Sequence, residues 1–152
     1  MKVSPVDGEV TVRSTLGDWY ASILRLDRKQ CVVFVNEQTL FSFVGIQVSL
    51  KPDIVRDVFI QRLNFVLIEN GISPDRVLTI CEEYQHLTFG KTNSRSILGA
   101  MNDLVNLYDT RIYYDGGLAH CDMGALTYKM NRMPQKNLEW RFSIDALMAL
   151  LG

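Results

Sequence analysis

The chain has 152 residues, 47% of them hydrophobic, and its 16 basic and 17 acidic residues leave a formal charge of −1. This length predicts a single domain over residues 1–152, with one core that buries roughly two-thirds of the unfolded surface. The near balance of charge argues against a protein that binds DNA or an acidic membrane through a general basic excess.

The cysteines and the apolar runs indicate the cellular compartment of the protein. The three cysteines are odd in number and far apart, and no secretion signal opens the sequence. The apolar runs are interrupted well before the ~20 residues that a membrane span needs. We therefore expect a reduced, cytoplasmic protein without membrane contact.

The first half of the chain predicts a sheet. Residues 9–13 alternate and predict an edge strand. Three segments rich in β-branched and aromatic residues follow, at 19–26, 31–35 and 39–44, and predict an antiparallel meander. The middle segment, CVVFV, is apolar without alternation, as is typical of a strand covered on both faces, so we place it at the centre.

Two helices are predicted next. Residues 53–70 carry apolar side chains at helical spacing and end at an Asn-Gly pair, a common helix stop. The sequence Ser-Pro-Asp that follows predicts a second helix to about Tyr84, with Ser73 as its N-cap.

The clearest helix is predicted at residues 94–108, after a short strand candidate, HLTF, at 86–89. Its apolar stripe consists of Ile97, Leu98, Met101, Leu104, Val105 and Tyr108. Thr92, Asn93 and Ser94 compete as its N-cap.

The remaining elements are predicted from shorter patterns. RIYY at 111–114 and the alternating ALTYKMN at 125–131 predict strands, and Ser143 is expected to cap a last helix at 144–151. Trp140 is expected to pin this end of the chain to the core. Because strands come first and helices with isolated strands later, the predicted class is α+β: an antiparallel meander sheet packed with about four helices.

Gly90-Lys91-Thr92 resembles the end of a phosphate-binding loop. Such a loop needs a second glycine five residues before Gly90, where the backbone wraps the phosphate. That position is Gln85, and the intervening residues are bulky, so we expect no nucleotide loop. A weak anion site at the helix N-terminus beside Lys91 stays open.

The cysteines and histidines are the other candidates for chemistry. The sequence has no C-x-x-C or H-x-x-x-H pair, so we expect no metal and no other cofactor. Cys31 and Cys81 lie in apolar patterns and are predicted to be buried. Cys121, with a histidine and Asp122, would make a thiol nucleophile, but no activating signature accompanies it.

Three blocks of the sequence resemble the signature blocks of a family of short bacterial proteins known only as a domain of unknown function. The blocks are LGDWYASILRLDRKQCVVFVNEQTLFSF, FGKTNSRSILGAMNDL and MNRMPQKNLEWRFSIDALMALL. The resemblance covers most of the chain and implies membership, but no activity, cofactor or catalytic residue. It marks polar positions that packing alone does not demand: Asp18, Asn36, Lys91, Thr92, Arg95, Asn102, Asp103 and Asn131.

The favoured function is a non-catalytic binding module that recognises a protein or a nucleic-acid partner through the polar face of helix 94–108 and the turn before it. The predicted binding residues are Lys91, Thr92, Arg95, Asn102 and Asp103. Near-neutral charge favours a protein over a nucleic acid.

The alternative is a small hydrolase or transferase acting on a phosphorylated or nucleotide substrate. Lys91 and Arg95 would hold the anion, and Asp103 or His86 would move a proton. No nucleophile–base pair is visible in the sequence, so the enzyme ranks second.

A homodimer is a third expectation, because the helix from Ile54 to Ile68 is apolar nearly all round and one chain alone would leave part of it in water. Light scattering at micromolar concentration is expected to give the mass of two chains. The mass of a single chain would contradict the dimer.

Overall fold

An antiparallel sheet forms the middle of the fold. The computed structural model describes residues 1–7, 10–11, 14–46 and 48–152. The strands are β1 (Lys2–Asp7), β2 (Val10–Thr11), β3 (Trp19–Leu26), β4 (Lys29–Asn36), β5 (Ser42–Gly45) and β6 (Leu87–Gly90). Their order is β2-β1-β3-β4-β5, β6 also pairs with β1, and every pair is antiparallel. The predicted meander is confirmed by β3 to β5. Of the predicted edge strand 9–13, only β2 is described; the other three residues lie outside the described part.

Helices cover both faces of this sheet. Within the described residues they are α1 (Pro52–Glu69), α2 (Pro74–Glu82), α3 (Arg95–Tyr114), α4 (Met123–Met130) and α5 (Ser143–Leu151). A hairpin of β7 (Pro134–Gln135) and β8 (Arg141–Phe142) precedes α5. The α+β class is confirmed, with one helix more than predicted. None of the helices in the described ranges combines the length and apolarity that crossing a bilayer requires.

Alternate residues of β4 enter two different cores. Val32 and Phe34 pack in a cluster with residues of α1, α2 and α5, whereas Cys31, Val33 and Val35 pack in a second cluster with residues of α3 and α4. All of these β4 residues are buried, which confirms the predicted central strand. The sheet is therefore the middle layer between two layers of helices.

The predicted strand at 111–114 is wrong, because these residues continue α3. Ile112 is buried and extends the stripe of Met101, Leu104 and Tyr108 at helical spacing. The helix therefore runs six residues past its predicted end at Tyr108 and buries Ile112 against the sheet as well.

The predicted strand at 125–131 is also wrong, because the segment forms α4. The Asp122 carboxylate caps this helix by accepting a hydrogen bond from the Ala125 amide at 3.0 Å. Leu126 and Met130, four residues apart, are both buried in the core that α3 shares. The Asp122 cap and the four-residue spacing of the buried side chains favour a helix over the strand that the alternating pattern predicts.

Asn131 joins three elements at the end of α4 and is fully buried. Its Oδ1 accepts hydrogen bonds from the Ser42 amide at 2.8 Å and the Ser143 hydroxyl at 3.0 Å. Its Nδ2 donates to the carbonyls of Ser42 at 2.8 Å and Thr127 at 2.9 Å. The expected cap role of Ser143 is therefore wrong: this residue is the first of α5, and its hydroxyl makes no cap hydrogen bond.

A second buried amide, Asn36, orders the turn between β4 and β5. Its Oδ1 accepts from the amides of Gln38 at 3.1 Å and Thr39 at 3.0 Å. Its Nδ2 donates to the Leu16 carbonyl at 2.8 Å, across the protein interior. Two of the polar positions marked by the family resemblance, Asn36 and Asn131, thus have structural partners.

Three apolar side chains of α1 face solvent. Ile54, Phe65 and Ile68 are 40%, 44% and 44% exposed, respectively. The homodimer that would cover them stays a prediction.

Replacing Asn131 with alanine should destabilise the protein strongly. The substitution leaves buried amide and carbonyl groups of Ser42 without partners, and the expected loss is about 3 kcal/mol of unfolding free energy. Urea denaturation measures it. The matched control is Asn106→Ala on the exposed side of α3, where a change within about 0.5 kcal/mol is expected. Equal effects of the two substitutions would contradict the structural role of Asn131 where α4, β5 and α5 meet.

Candidate functional site

The loop before α3 is held by Tyr20 of β3. The Tyr20 hydroxyl accepts hydrogen bonds from the amides of Asn93 at 3.3 Å and Ser94 at 3.1 Å, and lies 2.9 Å from Asn93 Oδ1, to which it donates. Ser94 caps α3, because its hydroxyl accepts from the Ile97 amide at 3.3 Å. Since these amides have partners inside the protein, they are not free to bind an external anion.

Lys2 lies beside this loop and gives Asp18, a third position that the resemblance marks, a structural partner. Its ammonium is 3.2 Å from an Asp18 carboxylate oxygen, 3.3 Å from one of Glu37 and 3.5 Å from Asn93 Oδ1. Partial burial lowers the pKa of Lys2, but the hydrogen bonds and charges of the two carboxylates outweigh it, so the pKa is raised. Asp18 therefore ties the start of β3 to β1.

A groove of about 440 Å³ lies between α3 and the hairpin segment 133–140. From α3 it is lined by Arg95, Ser96, Gly99, Ala100, Asp103 and Leu107. From the hairpin segment it is lined by Met133, Pro134, Gln135, Lys136, Asn137 and Trp140. The structure thus brings together two predicted binding residues, Arg95 and Asp103. The predicted residues Lys91, Thr92 and Asn102, and also His86, are not among the lining residues.

The hairpin segment is joined to α3 by the hydrogen bonds of Asn137 and by Leu138, which is buried in the core cluster that α3 shares. Asn137 Nδ2 donates to the Ser96 hydroxyl at 2.9 Å and to the Ser96 carbonyl at 3.2 Å. Across the hairpin, the Trp140 amide donates to the Gln135 carbonyl at 2.8 Å. These contacts set the width of the groove.

Trp140 occupies an unusual position at the rim of this groove. The expectation that it pins the chain end to the core is wrong, because its side chain is 66% exposed, whereas Trp19 is fully buried. Glu139 and Trp140 have φ of 55° and 67°. This left-handed conformation costs about 1–2 kcal/mol per residue for side chains other than glycine. The backbone is therefore strained where it presents the indole to solvent.

Gly99 leaves the α3 backbone open to the groove. A Cβ atom at this position would meet no other atom within 4 Å, so packing does not require glycine. Glycine in a helix interior costs about 1 kcal/mol relative to alanine. The fold therefore gives no reason for this glycine, and its effect is to widen the groove.

The charged side chains of the groove lack ion-pair partners. Among the described residues, no carboxylate lies within 4.0 Å of the charged nitrogens of Arg95 or Lys136, and Asp103 is unpaired as well. No histidine or cysteine is present among the described lining residues. The groove therefore offers charge, an aromatic surface and apolar contacts, but no nucleophile–base pair.

Cys121 is the remaining candidate nucleophile, and its surroundings disfavour the thiolate. The thiol is half-buried and donates to Met123 Sδ at 3.7 Å. Burial and the nearby carboxylates of Asp115 and Asp122 raise the pKa of Cys121 to about 11. In the described part of the chain, no group of three or more His, Cys, Asp or Glu residues is placed to hold a metal. Cys31 and Cys81 are buried, as predicted.

Alkylation of Cys121 should be slow at neutral pH and should accelerate with pH. A thiol with a pKa of about 11 reacts through a thiolate fraction that still increases at pH 9 to 10. Iodoacetamide labelling, followed by mass spectrometry from pH 6 to 10, measures this, with Cys121→Ser to identify the site. A plateau near pH 7 would instead show an activated thiolate.

Comparison with known proteins identifies a family but no activity. Residues 1–146 match DUF6933, a domain of unknown function. Neither the curated proteins nor the solved structures gave a significant match. The match extends over the sheet, the buried amides of Asn36 and Asn131 and the whole groove. The chain therefore belongs to the DUF6933 family.

Proposed function

We propose that the protein is a non-catalytic binding module that recognises a protein partner through the groove between α3 and segment 133–140. Trp140 is the observation that carries this proposal. Its indole is two-thirds exposed on a left-handed backbone at the groove rim. Exposed tryptophans with neighbouring arginines are typical anchors of protein interfaces, and strained backbone is concentrated at binding sites.

Gly99 and the unpaired charges support the same surface. Gly99 weakens α3 without a packing benefit, yet it enlarges the space opposite the hairpin. Arg95 and Asp103 both line the groove from α3, eight residues apart, and neither has an ion-pair partner among the described residues. A partner that fills the groove would satisfy both charges and cover the indole.

The charges of the groove favour a protein over the other ligands considered. A nucleic acid carries a negative charge at every nucleotide, and Asp103 would repel it. An enzyme acting on a phosphorylated substrate would need free amides near Lys91, but Tyr20 already binds two of them. A peptide can place its own charges opposite Arg95, Lys136 and Asp103, so it fits the groove best.

Selection of peptides from a random display library tests the proposal. Peptides of about twelve residues, long enough to cross the groove, are selected on the wild-type chain. Their affinity is then measured for Trp140→Ala and for Gly99→Leu. A Cβ atom at residue 99 meets no atom within 4 Å and leucine favours a helix over glycine, so this variant is expected to keep the fold while its side chain fills part of the groove. Each substitution should weaken binding by about tenfold or more.

Tyr114→Ala is the matched control, because Tyr114 is an aromatic residue of α3 with 79% exposure and does not line the groove. Its loss should leave the affinities unchanged. A library that yields no binder, or binders that ignore Trp140 and Gly99, would refute the proposed function.

A further inference from the structure

Strand β6 lies at one edge of the sheet, because within the described residues it pairs only with β1. The Val6 amide of β1 donates to the His86 carbonyl at 2.9 Å, just before β6 begins. Residues that exchange backbone hydrogen bonds alternate along an antiparallel pair, so Thr88 is the next residue of β6 to bond with β1. The amides and carbonyls of Leu87 and Phe89, at the alternate positions, therefore point away from β1.

These outward backbone groups have no hydrogen-bond partner in the described part of the chain. The side chains of Leu87 and Phe89 pack at the margin of the core cluster formed with α1, α2 and α5, and they are only half-buried. Thr88 lies on the opposite face of the sheet and is exposed. An edge with free backbone groups and partly covered apolar side chains is a template for another strand.

We infer that two copies of the chain pair through β6, antiparallel and about a two-fold axis, with the two Thr88 residues facing each other. In this register the backbone of Leu87 exchanges hydrogen bonds with Phe89 of the second copy, and the reverse, so the outward groups of both residues are satisfied. A two-fold axis closes the assembly at two chains. The inference does not depend on the groove or on the ligand proposed for it.

The sequence of β6 is self-complementary in this register. Leu87 lies opposite Phe89 of the second copy on one face, and this apolar pair covers both half-buried side chains. On the other face the two Thr88 residues form a pair without mutual backbone bonds, where side chains come closest. A shift by two residues would set Leu87 opposite Lys91 or Phe89 opposite Gln85. The apolar pattern therefore specifies one register.

The exposed face of α1 is the other surface on which a second copy could pack. The Arg62 guanidinium lies over the Phe65 ring, 5.0 Å from its centroid, so the chain itself already covers part of this face. The α1 face offers no free backbone groups, because those of a helix interior bond within the helix. The edge of β6 therefore fits a second copy better than α1 does.

Opposite charges at residue 88 test the interface and its register together. Because Thr88 is exposed, Thr88→Lys and Thr88→Glu fit the single chain, but each sets two like charges opposite each other in the dimer. Each should raise the dimer dissociation constant, measured by sedimentation equilibrium, by about fivefold or more. An equal mixture of the two variants should associate at least as tightly as the wild type, because a lysine then faces a glutamate.

Thr110→Lys is the matched control, because Thr110 is an exposed threonine near the end of α3 that lies away from β6. It should leave the dissociation constant unchanged, and circular dichroism checks that every variant is folded. Phe65→Lys tests the α1 face and should also have no effect. Any of three results would overturn the pairing of β6: a wild-type chain that stays monomeric, a mixture that associates no more tightly than its two components, or a dimer weakened by Phe65→Lys but not by the Thr88 variants.

Discussion

The burial of β4 on both faces is the constraint on which the rest of the structure depends. A strand that is apolar at successive positions must be covered from two sides, so α1, α2 and α5 pack on one face and α3 and α4 on the other. This fixes the buried stripe of α3, from Met101 to Ile112. The other faces of α3 are not buried in the core. The hairpin between α4 and α5 lies along one of these faces. The groove is therefore a consequence of how the sheet is covered.

Five of the polar positions that the family resemblance marks fall into two groups. Asn36 and Asn131 satisfy buried backbone groups at a turn and at the junction of α4, β5 and α5, and Asp18 pairs with Lys2. These residues specify which elements meet, because a buried amide is stable only with its partners in place. Arg95 and Asp103 have no such partner among the described residues and line the groove. The first group holds the fold together, and the second group is available to a ligand.

The sequence correctly predicts those elements whose apolar residues fit only one spacing, either that of a helix or that of a strand. The meander and the helices α1 to α3 have long runs with clear spacing, and they are found. ALTYKMN fits two periods: Leu126, Tyr128 and Met130 alternate as in a strand, but in α4 the Tyr128 side chain is 44% exposed. Arg95 and Asp103 could be predicted from the sequence, as polar positions on a helix. The groove residues opposite them could not be predicted, because the hairpin is docked by long-range contacts that no local pattern encodes. These are the hydrogen bond of Asn137 to Ser96, 41 residues away, and the burial of Leu138 in the core cluster that α3 shares.

The two tryptophans allow the groove to be tested by one spectrum. The Trp19 indole N–H is buried and donates to the Tyr84 hydroxyl at 3.1 Å, whereas the Trp140 side chain is largely exposed at the groove rim. In a ¹H–¹⁵N correlation spectrum each indole gives its own signal, which single tryptophan-to-phenylalanine variants assign. Titration with a peptide enriched by the display selection should shift the Trp140 signal and leave that of Trp19 in place. A saturable complex in which the Trp140 signal does not move would show that the peptide binds elsewhere, and would contradict the groove as the recognition surface.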